Sequence, residues 1–294
     1  MNRPVIIAAH GLQATADEAQ LNLRPQVAPL CGQSFRRTTR FIDLALIGAN
    51  RCARETGRLP GAGCAVYLAT GRGNAVGTIE QIRQLIRDRL PPMPVAFMNT
   101  ASNAAAFHVA LSLGLTGENM TISHASFPFE AALELACLGL AEGCLDEALV
   151  GAVDELTFPV ADHRRRLDLA PEAPLGEGSH WLWLAREGHG IGELAAVERY
   201  PDTGALAAAL RELAVDGAVL AGGNGADAAS LAQLAAAAGI AGRFDYLERA
   251  GHYDSNTAFA VVDYLRRRPA PMLLHVGRGP RREWSLLAVR ARTS

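Results

Sequence analysis

The chain lacks most of the paired features that declare a function class. Its five cysteines, Cys31, Cys52, Cys64, Cys137 and Cys144, form no CxxC pair, and their number is odd. With Cys137 in an apolar run, this fits reduced thiols in a cytoplasm and argues against a disulfide framework or a zinc site. Formal charge is nearly balanced at −2, so no global field draws the chain to nucleic acid or to a membrane surface. No run of about 18 apolar residues exists to span a bilayer. The apolar run Val5–Ala9 is too short for the core of a secretory signal. The glycines of Thr70-Gly71-Arg72-Gly73 lack the spacing of a dinucleotide or phosphate loop and read as a turn. Nothing in these patterns calls for a cofactor or a metal.

What is present is an ample core and alternating elements. Hydrophobic residues make up 49% of 294, enough for one large domain or two halves of ordinary size. Strand-like runs at Val5–Ala9, Cys64–Ala69, Met120–Ile122 and Glu147–Ala152 alternate with helical patterns from Phe41 to Glu55, Thr78 to Leu90 and Asn99 to Leu113. The alternation resumes after Gly176. Ser179–Ala185 and Ile191–Val197 read as a hairpin across Glu187-Gly188-His189-Gly190. Helices at Gly204–Ala214, Ala226–Ala238 and Thr257–Arg266 then interleave with strands at Ala218–Ala221, Met272–Val276 and Trp284–Ala288. This order predicts an α/β fold with a largely parallel sheet, in two similar layered units that meet between about residues 157 and 176. The run His163-Arg164-Arg165-Arg166 between them reads as a solvated turn.

The chain is organised around residues 117–155. A short strand ends at the elbow Ser123-His124-Ala125-Ser126, and a helix from about Pro128 to Glu142 is apolar nearly all the way round, which predicts burial. Gly143 ends it. Ser126 stands where strand turns into helix. Read locally it is first an N-cap with Pro128 in the first turn, and second a nucleophile at a helix start, where unpaired N–H groups favour negative charge. His124, at a strand end, reads as structural.

The order of these landmarks resembles the β-ketoacyl synthase family, of thiolase fold. Asn99–Gly117 resembles the segment ahead of that family's nucleophile, and the Ser126 elbow with its helix and the run Gly143–Glu155 resembles the nucleophile helix and following strand. Gly176–Leu184 resembles the start of the second half, Ala250–Ala260 the motif carrying a catalytic histidine, and His275–Pro280 a glycine-rich turn. The resemblance implies two βαβαβ-type halves, 1–165 and 166–294, in a five-layered α-β-α-β-α arrangement, and pairing as a dimer.

The departures define the expected function. Family synthases use a cysteine where this chain has Ser126, a first histidine where it has Gly222, and a lysine where it has Leu247; only His252 remains. Condensation needs a thiolate and two donors for the thioester carbonyl, and losing one donor typically costs a few kcal/mol. The resemblance therefore implies a non-condensing, chain-length-factor-like subunit of fatty-acid or polyketide-type biosynthesis, with aryl polyene clusters among the settings of such short proteins. It would be cytoplasmic, paired with a cysteine-bearing ketosynthase or with itself, and would meet acyl carrier protein and acyl thioesters. Two other readings stay open: an acyltransferase or thioesterase using Ser126 and His252, and a non-catalytic protein that binds an acyl chain or a carrier protein. Arg36, Arg37, Arg164–Arg166, Arg266–Arg268 and Arg281-Arg282 supply basic clusters for an acidic carrier, or plain solvated faces.

Overall fold

Alternation along the strands decides which faces must be covered. In the strand Glu147–Asp154, Ala148, Val150 and Ala152 point to one side and Leu149 and Val153 to the other, and all are buried. A strand buried on both faces needs helices on both. The computed structural model, which describes residues 3–16 and 18–292, satisfies this with five layers.

The first five strands are β1 (Val5–Thr15), β2 (Ala65–Thr70), β3 (Asn119–Ser123), β4 (Glu147–Asp154) and β5 (Gly176–Ala185). The second five are β6 (Gly192–Tyr200), β7 (Val219–Gly222), β8 (Gly242–Arg243), β9 (Met272–Arg278) and β10 (Trp284–Ala291). The strand order is β3-β2-β4-β5-β1 followed by β6-β10-β9-β7-β8. Read outward from the junction, the second half repeats the first. In each half the second strand pairs parallel with the third and fourth, and the fifth pairs antiparallel with the fourth and first. The halves are joined edge to edge by two residue pairs, Val5 with Glu193 and Ile6 with Gly192.

Helices α1 (Arg24–Cys31), α2 (Arg40–Arg54), α3 (Ala75–Ile86), α4 (Pro94–Met98) and α5 (Asn103–Leu113) precede the central helix α6 (Pro128–Ala141). After it come α7 (Val160–Arg166), α8 (Thr203–Leu213), α9 (Ala228–Ala238), α10 (Leu247–Ala250) and α11 (Thr257–Arg267). Three apolar clusters fill the spaces between layers. One joins α1, α2 and α5 to the outer face of the first five strands. A second joins α8 and α9 to the outer face of the second five. The third, between the sheets, holds Phe129, Leu133 and Leu140 of α6 and Val261 and Leu265 of α11. Each such side chain, removed from water, stabilises the fold by about 2 kcal/mol.

Four expectations need correction. β5 does not form a hairpin with β6; it pairs with β1 and β4, and β6 pairs with β10 and the start of β1. The last strand of the first five ends at Ala185 and the first of the second five begins at Gly192. The antiparallel fifth strand gives each half a mixed sheet, where the sequence predicts a largely parallel one. The segment expected to be a solvated arginine turn is helix α7, with His163 buried. Helix α6 is covered on its sheet-facing sides but open on one flank, where Leu135 and Leu138 are 40% and 51% exposed. An all-apolar helix predicts cover all round, and this chain supplies it on most sides only.

Candidate functional site

In open α/β sheets, ligands bind outside the carboxyl ends of parallel strands. Here the ends of β2, β3 and β4 from one half meet those of β7 and β9 from the other. Between them lies a cavity of about 290 Å³. Its wall includes Ser126 and Phe127 at the start of α6, Arg72 after β2, Arg166 and Asp168 at the end of α7, Asn224 after β7, Asp254 and Thr257 before and in α11, and Gly277 and Arg278 in β9.

The elbow differs from the local expectation. The cap position of α6 is Phe127, not Ser126, and no side chain caps the helix. Phe127 is left-handed, at φ 53° and ψ 43°, although it precedes Pro128. A residue before proline is normally pushed to extended backbone, so this conformation costs on the order of 1–3 kcal/mol. The ring is held by Gly277: a Cβ added there would stand 2.9 Å from Phe127 Cε1. The elbow is closed by His124, as expected of a structural residue; its Nδ1 lies 3.2 Å from the Ser126 N–H and 2.5 Å from the Ser126 carbonyl oxygen. Ser126 Oγ makes no hydrogen bond to an imidazole among the described residues.

His252 sits behind the cavity wall. Its Nδ1 lies 3.5 Å from Oδ1 of Asn224, which does line the cavity. Its backbone N–H donates to the Pro174 carbonyl at 2.8 Å, and its carbonyl meets Nε2 of His163 at 3.4 Å. Burial lowers the His252 pKa. Ser126 thus borders the crevice and His252 lies behind one of its wall residues, with no hydrogen bond between them.

Gly222 does not stand beside the crevice as an emptied histidine position. A Cβ there would meet Leu231 Cδ1 at 2.3 Å, on the α9 side of the sheet. The next residue, Gly223, faces inward, where a Cβ would meet His275 Cε1 at 2.7 Å. Leu247 opens α10 and packs against the central apolar cluster, carrying no charge toward His252. The chain contains no lysine anywhere, so its only permanent side-chain cations are arginines, of which Arg72, Arg166 and Arg278 border the crevice.

Three features escaped the sequence. Arg166 Nη1 contacts Asp254 Oδ2 at 2.5 Å, tying α7 to the loop before α11; a run of arginines gives no hint that one turns inward. Asp154, at the end of β4, accepts from Thr70 Oγ1 at 2.8 Å and the Gly71 N–H at 2.9 Å, while its Oδ2 has no partner. Burial, then the Asp254 carboxylate, push Asp154 up to about 7. Asn224 was legible in principle, as the one polar side chain in Gly222-Gly223-Asn224-Gly225. Among the described residues no group of three or more His, Cys, Asp or Glu side chains could hold a metal, and no helix is long and apolar enough to cross a membrane.

Residues 20–163 match the family model described as Beta-ketoacyl synthase, N-terminal domain. No curated protein matches the chain in sequence. Among solved structures, "The ishigamide ketosynthase/chain length factor" aligns over 99% of this chain and 100% of its own, at 16% identity and a TM-score of 0.75. "PfaC Keto synthase-Chain length factor" aligns over 100% of this chain and 43% of its own, at 14% identity and a TM-score of 0.73. A β-ketoacyl synthase from Burkholderia phymatum STM815 aligns over 100% of both, at 13% identity and a TM-score of 0.74. At these identities the likeness shows a shared fold. Residues 20–163 thus match the N-terminal domain of the β-ketoacyl synthases, and the chain along its whole length has the thiolase-like fold of those structures.

Proposed function

We propose that the chain is a non-condensing, chain-length-factor-like subunit in fatty-acid or polyketide-type biosynthesis, working beside a cysteine-bearing ketosynthase and meeting acyl carrier protein. The observation that carries this reading is the separation of Ser126 from any base: its hydroxyl borders the crevice, while His252 is engaged by Asn224 behind the wall. An unactivated serine hydroxyl is a weak nucleophile. Leu247 and the outward-facing Gly222 leave the remaining donor roles unfilled. An aryl polyene pathway is one setting for such a subunit.

A partner is supported by the surface. The edge strand β3 is mostly exposed, and elsewhere the packed helices α3 and α4 present Ile86 at 72% and Met98 at 68% exposure. Unpaired edges and contiguous apolar patches are features that proteins normally cover. Two of the structures that share this fold are a ketosynthase together with a chain length factor. The acyltransferase reading draws on the cavity itself, since Ser126 borders it together with Arg72 and Arg278; it lacks the base.

Intact-protein mass spectrometry after incubation with a panel of acyl and malonyl thioesters tests the reading. No adduct and no decarboxylation are expected from the chain alone. An adduct on Ser126 lost in both Ser126→Ala and His252→Ala would overturn it.

A further inference from the structure

The side chains between the crevice and the central layer form one connected set, and their donors and acceptors can be assigned from partners whose roles are fixed. Asn224 Nδ2 lies 2.8 Å from the Tyr253 carbonyl oxygen. A carbonyl only accepts, so this end of Asn224 must be the amide N–H, and its Oδ1 must face the other way. That Oδ1 accepts from Asn256 Nδ2 at 3.2 Å. Asn256 Nδ2 also lies 3.4 Å from the Gly251 carbonyl, so Asn256 too is locked in one orientation. Its Oδ1 accepts from the Tyr246 hydroxyl at 3.3 Å. With that proton directed at Asn256, the Tyr246 oxygen accepts from His275 Nε2 at 3.0 Å, and His275 Nδ1 is left without a partner in a fully buried ring.

The same logic reaches His252. Its Nδ1 faces Asn224 Oδ1 at 3.5 Å, a long contact between an imidazole nitrogen and an atom that can only accept. The contact is favourable only if Nδ1 carries the proton. We infer that Asn224 is a positioning residue that holds His252 as the neutral Nδ1–H tautomer, with its single N–H committed to Asn224 and Nε2 left as a lone pair. This rests on the functional reading above and deepens it. A neutral ring in that state has no N–H to offer a thioester carbonyl, so the retained histidine cannot serve as the carbonyl donor that condensation requires. Asn256, Tyr246 and His275 act through Asn224 by fixing its orientation.

The test is the tautomeric state of His252 in the full chain, read by long-range proton–nitrogen correlation spectra of ¹⁵N-labelled imidazoles at mildly alkaline pH, with His252→Gln assigning the signal. The wild-type ring should show a protonated Nδ1 and an unprotonated Nε2. Asn224→Asp keeps the acceptor and should keep that pattern while raising the imidazole pKa. Asn224→Leu removes the acceptor and should abolish the single-tautomer signal. A wild-type ring protonated at Nε2, or an unchanged pattern in a folded Asn224→Leu chain, would overturn the inference. The wild-type spectrum decides the matter even if a variant fails to fold. Because it reads the isolated chain, it is independent of whether a ketosynthase binds or a thioester reacts.

Discussion

Arg166 and Asp254 clasp the two halves of the chain across the crevice, guanidinium to carboxylate at 2.5 Å, with the Asp254 side chain 5% exposed. The arginine ends α7 of the first half and the aspartate precedes α11 of the second. Gly71 abuts the same carboxylate so closely that a Cβ there would meet Asp254 Cβ at 2.2 Å. Removing Arg166 leaves a buried carboxylate with a second one, Asp154, nearby. Arg166→Ala should therefore lower stability by on the order of 3 kcal/mol in urea unfolding. Combining it with Asp254→Asn should cost much less than the sum of the singles, and strict additivity would show that the pair is not coupled.

Stability should carry a pH signature from Asp154. Its pKa is about 7 in the fold and about 3.9 in an unfolded chain. Between those values the folded chain retains a proton that the unfolded chain has released. The contribution is complete below about pH 4 and is lost as pH rises toward 7. Glu155, also pushed to about 7 by burial, acts in the same direction. Asp154→Asn should flatten part of the decline in denaturation midpoint between pH 4 and 7. His163 works oppositely. Burial and Arg166 lower it to about 4, so its contribution is present above about pH 6.5 and is lost as pH falls toward 4. An equally steep profile in Asp154→Asn would exclude the carboxyl as its source.

Phe127 tests the strained elbow. Alanine loses the ring packed on Gly277 and keeps the left-handed penalty, whereas glycine loses the ring and the penalty together. Phe127→Gly should be more stable than Phe127→Ala by about 1 kcal/mol. The reverse order in chemical unfolding would mean that the backbone there is not left-handed in solution.

Restoring a histidine at position 222 should not rebuild the family's site. The new side chain would drive into Leu231 on the far side of β7, and overpacking of this kind costs about 1–3 kcal/mol. Gly222→His should be destabilised and gain no decarboxylase activity, alone or with Ser126→Cys. Adding Leu231→Ala should recover part of the stability. Activity in the Ser126→Cys, Gly222→His chain would refute the outward orientation.

The apolar surface gives the partner prediction. Ile86→Glu or Met98→Glu should leave the monomer's unfolding free energy within about 0.5 kcal/mol of wild type, as exposed substitutions do, and should weaken co-purification with a cysteine-bearing ketosynthase. Undiminished capture by both variants would place the partner elsewhere. Carrier binding, if carried by arginines, should weaken as salt rises. Arg165, Arg166, Arg266 and Arg267 already hold Asp162, Asp254, Glu55 and Asp263, which leaves Arg36, Arg37, Arg281 and Arg282 the better candidates among the clusters.

Much of the architecture was legible because it follows from local periodicity. The apolar alternation of β4, the breakers around each helix and the placement of α6 after a short strand are properties of neighbouring residues, and they set the α/β class and the elbow. Pairing was not legible. β5 and β6 are separated by a glycine-rich hairpin signal, yet each finds its partners among distant strands. Burial of both faces rewards completing a five-stranded half more than closing a local turn. By the family resemblance, the sequence also sets which groups are missing: a thiol at Ser126, and a lysine at Leu247 in a chain without lysine. Only the tertiary structure decided which way side chains point. Gly222 turns outward and Gly223 inward because strand residues alternate faces. Arg166 turns in to Asp254 where its neighbour Arg165 stays in water. His252 is bound to Asn224 instead of Ser126 because the loop that carries it is pinned by Pro174 and His163, contacts between residues far apart in the chain that no local pattern encodes.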